Sequence, residues 1–191
     1  MKLGVAWTVD RDGSIHCIYT PQMRTPRGTL DVVWIGTTNG FLYAIATAPA
    51  NDVRAGEIVI RVPVARPRPV QMDGGVPMGI LSTPVLDVDA SPPRIYVTAH
   101  DSERGWLAFA IDAKRGNVLP GWPVALDDAS LGAVNRNGSA RFHASDEMSQ
   151  RGALAISPEG DRLYVTFGTY GFQGVGWIAT IDTRGPIRVT T

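Results

Sequence analysis

The chain has 191 residues, 44% hydrophobic and 19% charged, enough for one globular domain with a real core. Lys and Arg total 18, as do Asp and Glu, so the net charge is zero and no overall field draws nucleic acid or an anionic membrane. A single cysteine excludes an intrachain disulfide and a CxxC metal or redox site.

Residues 1–20 predict a hairpin, Val5 to Val9 and Ser14 to Thr20, closed by Asp10-Arg11-Asp12-Gly13. Asp-x-Asp-Gly begins like a calcium loop, but the third acidic position and the distal Glu of an EF-hand are missing, so a turn is expected. Cys17 falls in an apolar run and is expected to be a buried, inert thiol. The N-terminal stretch has no apolar core of a signal peptide, and no run approaches the ~18 apolar residues of a membrane span.

Residues 21–30 predict a loop, and Asp31 to Gly36 a strand. Asn39-Gly40 predicts a tight hairpin in which both residues take a positive φ. Phe41 to Ile45 is its partner strand and Ile58 to Val64 a further one. Arg54, Arg61, Arg66 and Arg68 lie near Pro63, Pro67 and Pro69, a composition that predicts a solvated connection.

A link over 65–79 leads to three strands in a row: Ser82 to Asp87, Arg94 to Thr98 and Trp106 to Ile111. Pro92-Pro93 and the charged Asp101 to Gly105 are the turns between them. Asn117 to Leu126 follows, then a polar segment, Asp127 to Gln150, whose only expected helix is a turn or two at Ala144 to Gln150. The strand pattern returns at Gly152 to Ser157, Arg162 to Phe167, Trp177 to Asp182 and Ile187 to Thr190. No window shows helical periodicity, and short strands between regular turns predict an all-β fold.

The strands repeat. VVWIG (32–36), IYVTA (95–99) and LYVTF (163–167) align, with Trp34, Tyr96 and Tyr164 in register, 62 residues (34 to 96) and 68 residues (96 to 164) apart. LYAIA (42–46), AFAID (108–112) and IATID (178–182) align on Ile45, Ile111 and Ile181. The strands match while the turns differ in length, as in repeat proteins. These strands are apolar on both faces, without helices to cover them, so other sheets must do so. Stacked four-stranded antiparallel sheets are β-propeller blades, expected at 21–64, 80–126 and 150–191 after an N-terminal hairpin at 1–20. Three blades fall short of a closed ring of ~4–8, so an incomplete or open propeller is expected, one prone to association through its open faces.

DVVWIG (31–36) with NGFLYAI (39–45) resembles the pyrroloquinoline-quinone-type (PQQ-like) propeller repeat. LSTPVLD (81–87) is similar to the strand that begins such a blade. QRGAL (150–154), YVTFG (164–168) and GWI (176–178) look like a matching set. The resemblance covers about 31–185 and implies blades of a larger, exported bacterial-type protein, periplasmic or secreted. The enzymes of that class dock blades through A-x-D-x-x-T-G-x-x-x-W. Ala110, Asp112 and Gly116 fit that motif, whereas Arg115 stands at the Thr and Pro120 at the Trp. Those enzymes also carry a vicinal disulfide, which Cys17 alone cannot form.

No convergent catalytic set or standard metal-ligand spacing is evident. A solvated loop is the simpler reading of His143, Asp146 and Glu147, and with Gln150 and Arg151 they form the candidate binding loop if the chain has a site. His100-Asp101 is expected to be turn chemistry, since no Ser or Cys nucleophile accompanies it. Asp87, Asp89, Asp112 and Asp182 are expected to cap turns. Asn137-Gly138-Ser139 is a sequon, and the Gly-rich run 168–176 lacks the strand-then-helix setting of a phosphate loop. Trp34, Trp106, Trp122 and Trp177 are expected in the core or between blades.

The expected function is a non-catalytic binding or scaffold module whose partner is another protein or the remaining blades, with no cofactor in this chain. One alternative is a piece of a quinoprotein dehydrogenase, with PQQ and Ca²⁺ held elsewhere. Another is a carbohydrate-binding propeller using exposed tryptophans.

Overall fold

The computed structural model describes residues 15–68, 77–132, 142, 148–169, 176–184 and 189–190. It is all-β, with three antiparallel sheets, none of them closed. The first sheet is β1 (Ile15–Thr25), β2 (Gly28–Thr37), β3 (Phe41–Ala46) and β4 (Ile58–Pro63), in that order. The middle sheet is β5 (Val85–Asp87), β6 (Arg94–Asp101), β7 (Gly105–Asp112) and β8 (Val124–Ala125). A short helix, α1 (Asp128–Gly132), and β9 (Met148–Ser149) follow. The third sheet is β10 (Ala155–Ile156), β11 (Arg162–Thr169), β12 (Trp177–Asp182) and β13 (Val189–Thr190), and β9 pairs with the far end of β11.

The aligned aromatics hold the same register in all three sheets. Trp34 lies opposite Ala44, Tyr96 opposite Ala110 and Tyr164 opposite Thr180. Ile45, Ile111 and Ile181 face Val33, Ile95 and Leu163. Side chains alternate between faces along a strand, so matching registers give matching faces.

The middle sheet is covered on both sides, which explains why β6 and β7 are apolar throughout. Ile95, Val97, Ala99, Leu107, Phe109 and Ile111 share one core with Val32, Trp34, Leu42, Ala44, Ile60 and Val62 of the first sheet. Tyr96, Trp106, Ala108 and Ala110 share a second core with Leu163, Val165, Phe167, Trp177, Ala179 and Ile181 of the third. In the second core the rings of Trp106 and Phe167 meet edge to face at 5.9 Å, and Phe142 meets Phe167 at 5.1 Å, a favoured aromatic geometry.

The turns of the middle sheet are built by aspartates. The Asp87 carboxylate accepts the N–H groups of Asp89 (3.2 Å) and Ala90 (3.1 Å). Asp101 accepts those of Glu103 (3.0 Å) and Arg104 (3.1 Å), and Asp112 those of Lys114 (2.8 Å) and Arg115 (3.3 Å). Each is an Asx turn, in which the carboxylate accepts the N–H two residues on in place of a backbone carbonyl.

Several expectations are corrected. Residues 21–30 are not a loop: β1 continues to Thr25 and turns tightly into β2 at Gly28. Pro21 has no N–H to give the ladder, but the strand absorbs it as a bulge with one extra residue between Thr20 and Met23. Gln22 takes a φ of 50°, and its N–H goes to the Asp31 carboxylate at 2.8 Å. The first sheet therefore begins at Ile15 rather than Pro21, and Ile15 to Thr20 is its first strand instead of half of a separate hairpin. The expected strand Val5 to Val9 lies outside the described residues.

The Asn39-Gly40 hairpin has a three-residue loop. The Gly40 N–H binds the Thr37 carbonyl at 3.0 Å, and of the pair only Gly40 has a positive φ, 79°. Arg61 sits within β4, its guanidinium 4.3 Å from the Phe41 ring centroid, instead of in the solvated link. Cys17 is exposed, because β1 is an edge strand that turns this side chain away from the core. The described helix is α1; of the turn expected at Ala144 to Gln150, Met148–Ser149 form β9 and residues 144–147 lie outside the described residues. Asp127 and Ser130 cap α1 reciprocally, Ser130 N–H to the Asp127 carboxylate at 2.7 Å and Asp127 N–H to Ser130 Oγ at 3.0 Å. The outer strands are shorter than expected: β5 starts at Val85 rather than Ser82, β8 is only Val124–Ala125, and β10 is only Ala155–Ile156.

Candidate functional site

The segments entering the middle and third sheets are built alike. The His100 N–H binds the Gly79 carbonyl at 3.0 Å, and one sheet further on Gly168 pairs with Ser149. Counting back from Val85, opposite Tyr96, and from Ala155, opposite Tyr164, Ile80 and Gln150 occupy the same place. Each reaches the preceding sheet. Ile80 packs over Gly36, where an added Cβ would lie 2.5 Å from its Cγ2. Gln150 bonds Thr98, the middle-sheet counterpart of Gly36.

The seam between middle and third sheets is therefore polar where that between first and middle is apolar. Ser82, Thr98 and Gln150 are all fully buried. The Gln150 amide nitrogen donates to the Gly152 carbonyl at 2.8 Å, which can only accept, so its oxygen must face Thr98. Thr98 spends its one proton on that oxygen, and Ser82 donates to Thr98 Oγ1 at 2.9 Å. The relay runs Ser82 to Thr98 to Gln150 to the backbone, and each buried polar group in it finds a partner.

Of the predicted binding loop, Gln150 lies in this seam and Arg151 beside it is exposed. His143, Asp146 and Glu147 lie outside the described residues, as do the sequon and most of the Gly-rich run. Sequence reasoning missed Ser82 and Thr98. Their signal was present: each interrupts a covered apolar stretch, where an unpaired hydroxyl would be costly.

Of His100-Asp101, Asp101 is turn chemistry, as expected, whereas the His100 side chain is buried within β6. The Asp101 carboxylate closes its own turn and also accepts the Arg66 N–H at 3.0 Å. Burial alone would raise its pKa. The three N–H groups, with the nearby Arg66 charge, outweigh burial and hold it below the ordinary 3.8. The buried His100 ring stands edge-on to Trp106 at 5.1 Å. Arg66 forms a two-pronged ion pair with Glu103 (2.9 and 3.1 Å), fastening the link after β4 to the β6–β7 turn.

Two surface grooves of about 490 and 500 Å³ open near the Asx turns. One holds Arg24, Lys114 and Arg115; the other holds Arg94, Arg184 and Trp122. The first lies between turns of the first and middle sheets, the second between turns of the middle and third. Arg94 donates to the Thr183 carbonyl at 3.2 Å, and Arg184 to the Glu159 carbonyl. Trp34, Trp106 and Trp177 are buried, and Trp122 is half-buried with its ring 5.7 Å from that of Tyr96.

Among the described residues no group of three His, Cys, Asp or Glu side chains is placed to share a metal ion, and no helix is long and apolar enough to cross a membrane. No protein-family model matches the chain, and no curated protein matches it either.

Proposed function

We propose that the chain is a non-catalytic, PQQ-like β-propeller repeat segment, a binding or scaffold module that acts through the surfaces of its stacked sheets. One observation supports this most: three sheets of matching register, the middle one covered on both faces by its neighbours. Units that bury their apolar faces on one another build extended surfaces, and such surfaces serve recognition. The polar residues within reach are committed to structure. Asp87, Asp101 and Asp112 close turns, and Gln150 joins two sheets. The partner is a protein or further blades of the same kind, in an extracytoplasmic setting.

The test is turnover and cofactor binding by the purified protein. The module shows no turnover on alcohol or sugar substrates with PQQ and Ca²⁺, and calorimetric titration with both gives no binding isotherm. Turnover that is lost in His143→Ala or Glu147→Gln refutes it. Stoichiometric PQQ binding transfers the chain to the dehydrogenases.

A further inference from the structure

The two sheet-to-sheet contacts use the same pair of faces. The face of the first sheet bearing Trp34, Leu42 and Ala44 packs on the middle sheet. The corresponding face of the middle sheet, bearing Tyr96, Thr98, Ala108 and Ala110, is fully buried toward the third. By register, the same face of the third sheet bears Ala155, Tyr164, Thr166, Ile178 and Thr180. Two of its residue types match, a tyrosine over Tyr96 and a threonine over Thr98, while an isoleucine stands over Ala108 and a threonine over Ala110. Yet Ile178 is 59% exposed, Thr166 and Ala155 are exposed, and Tyr164 and Thr180 are half-buried.

The complementary half is at the other end of the stack. The face that the middle and third sheets turn to the preceding sheet is, in the first sheet, that of Tyr19, Val33, Ile35, Phe41 and Tyr43. Ile35 and Ile45, the latter opposite Val33, are buried, but Tyr19 is 59% exposed, and Val33, Phe41 and Tyr43 are half-buried. One molecule thus carries both halves of a contact that it already makes twice internally.

We propose that the open face of the third sheet takes the first sheet of a second copy of this chain, head to tail, in the geometry of the two internal contacts. This rests on the scaffold reading above and names its partner. Such a contact is heterologous: each copy gives one face and receives the other, so copies close into a ring or add in series. Tyr164 and Ile178 supply the apolar centre, with Thr166 placed as Thr98 is, where a side chain from the incoming sheet can bond it.

Sedimentation velocity tests this with the full chain and two variants, Ile178→Lys and Tyr19→Lys. Both residues are largely exposed, and an unchanged far-ultraviolet dichroism spectrum verifies folding. The wild type is expected to gain mass with concentration, and each variant to remain a single chain. Mixing the variants is expected to restore a two-chain species, because one retains an intact first sheet and the other an intact third. A wild type that stays monomeric at every concentration overturns the proposal. Association that survives either substitution overturns it too and indicates like-to-like contact, and a mixture that stays monomeric also overturns it. None of these results bears on turnover or PQQ binding, so the partner can fail while the scaffold reading stands.

Discussion

Thr98→Val keeps shape and volume while removing the hydroxyl at the centre of the buried relay. Ser82 Oγ then has no acceptor on that side, and Gln150 Oε1 loses its donor, both in a seam without exposure. Leaving a buried polar group unpaired costs about 1–3 kcal/mol, so a total of about 2 kcal/mol is expected after local adjustment. For a chain of this length that corresponds to a fall in Tm of roughly 4–8 °C. Urea unfolding with linear extrapolation gives the free energy directly, and an unchanged slope confirms that the native state stays compact. Gln150→Leu is expected to cost a similar amount, and the double variant less than the sum by about 1 kcal/mol, because the two groups serve each other. Single changes below about 0.5 kcal/mol, or strict additivity, refute the relay.

Three further outcomes follow. Asp101→Asn puts an amide where Oδ1 accepts two N–H groups and Oδ2 a third, so a donor must face a donor, and a loss of about 1–2 kcal/mol is expected by urea unfolding. The Asp101 pKa is depressed on folding, so its contribution is full above pH ~4 and lost as pH falls through the folded value. Stability measured from pH 5 down to 2.5 should fall less steeply in Asp101→Asn, and an unchanged slope counts against this. Gly40→Ala forces a side chain onto a φ of 79° with its Cβ against the Ala65 carbonyl, so it is expected to cost about 2 kcal/mol or more in the same assay, and a neutral result would mean that the β2–β3 loop has another shape.

The strands that carry the stack were legible because burial on both faces leaves a long apolar run. β6, β7, β11 and β12 lie where IYVTA, AFAID, LYVTF and IATID predict them, and the alignment of Trp34, Tyr96 and Tyr164 holds as hydrogen-bonded register. The outer strands were less legible, since an edge strand carries half the burial and so half the pattern. β1 was misread at Pro21, where a bulge absorbs the missing N–H and the neighbouring Gln22 N–H goes to a carboxylate nine residues on, Asp31. That rescue is tertiary and leaves no local mark. Helix α1 did leave one, the Asp127…Ser130 pair ahead of Leu131, but five residues are too few for periodicity to show. Cys17 was misplaced because an apolar strand does not say which of its faces is covered. The polar seam was visible only as Ser82 and Thr98 within apolar surroundings; that Gln150 reaches them depends on the equivalence of two entering segments, which register alone establishes.

Hydrogen exchange followed by mass spectrometry tests the stacking order most directly. With the middle sheet enclosed by the other two, the amides of Ile95 to His100 and Leu107 to Ile111 should exchange slowest of all, and those of β12, which has one face open, measurably faster. Protection of β11 and β12 equal to or above that of β6 and β7 would contradict a stack with the middle sheet at its centre.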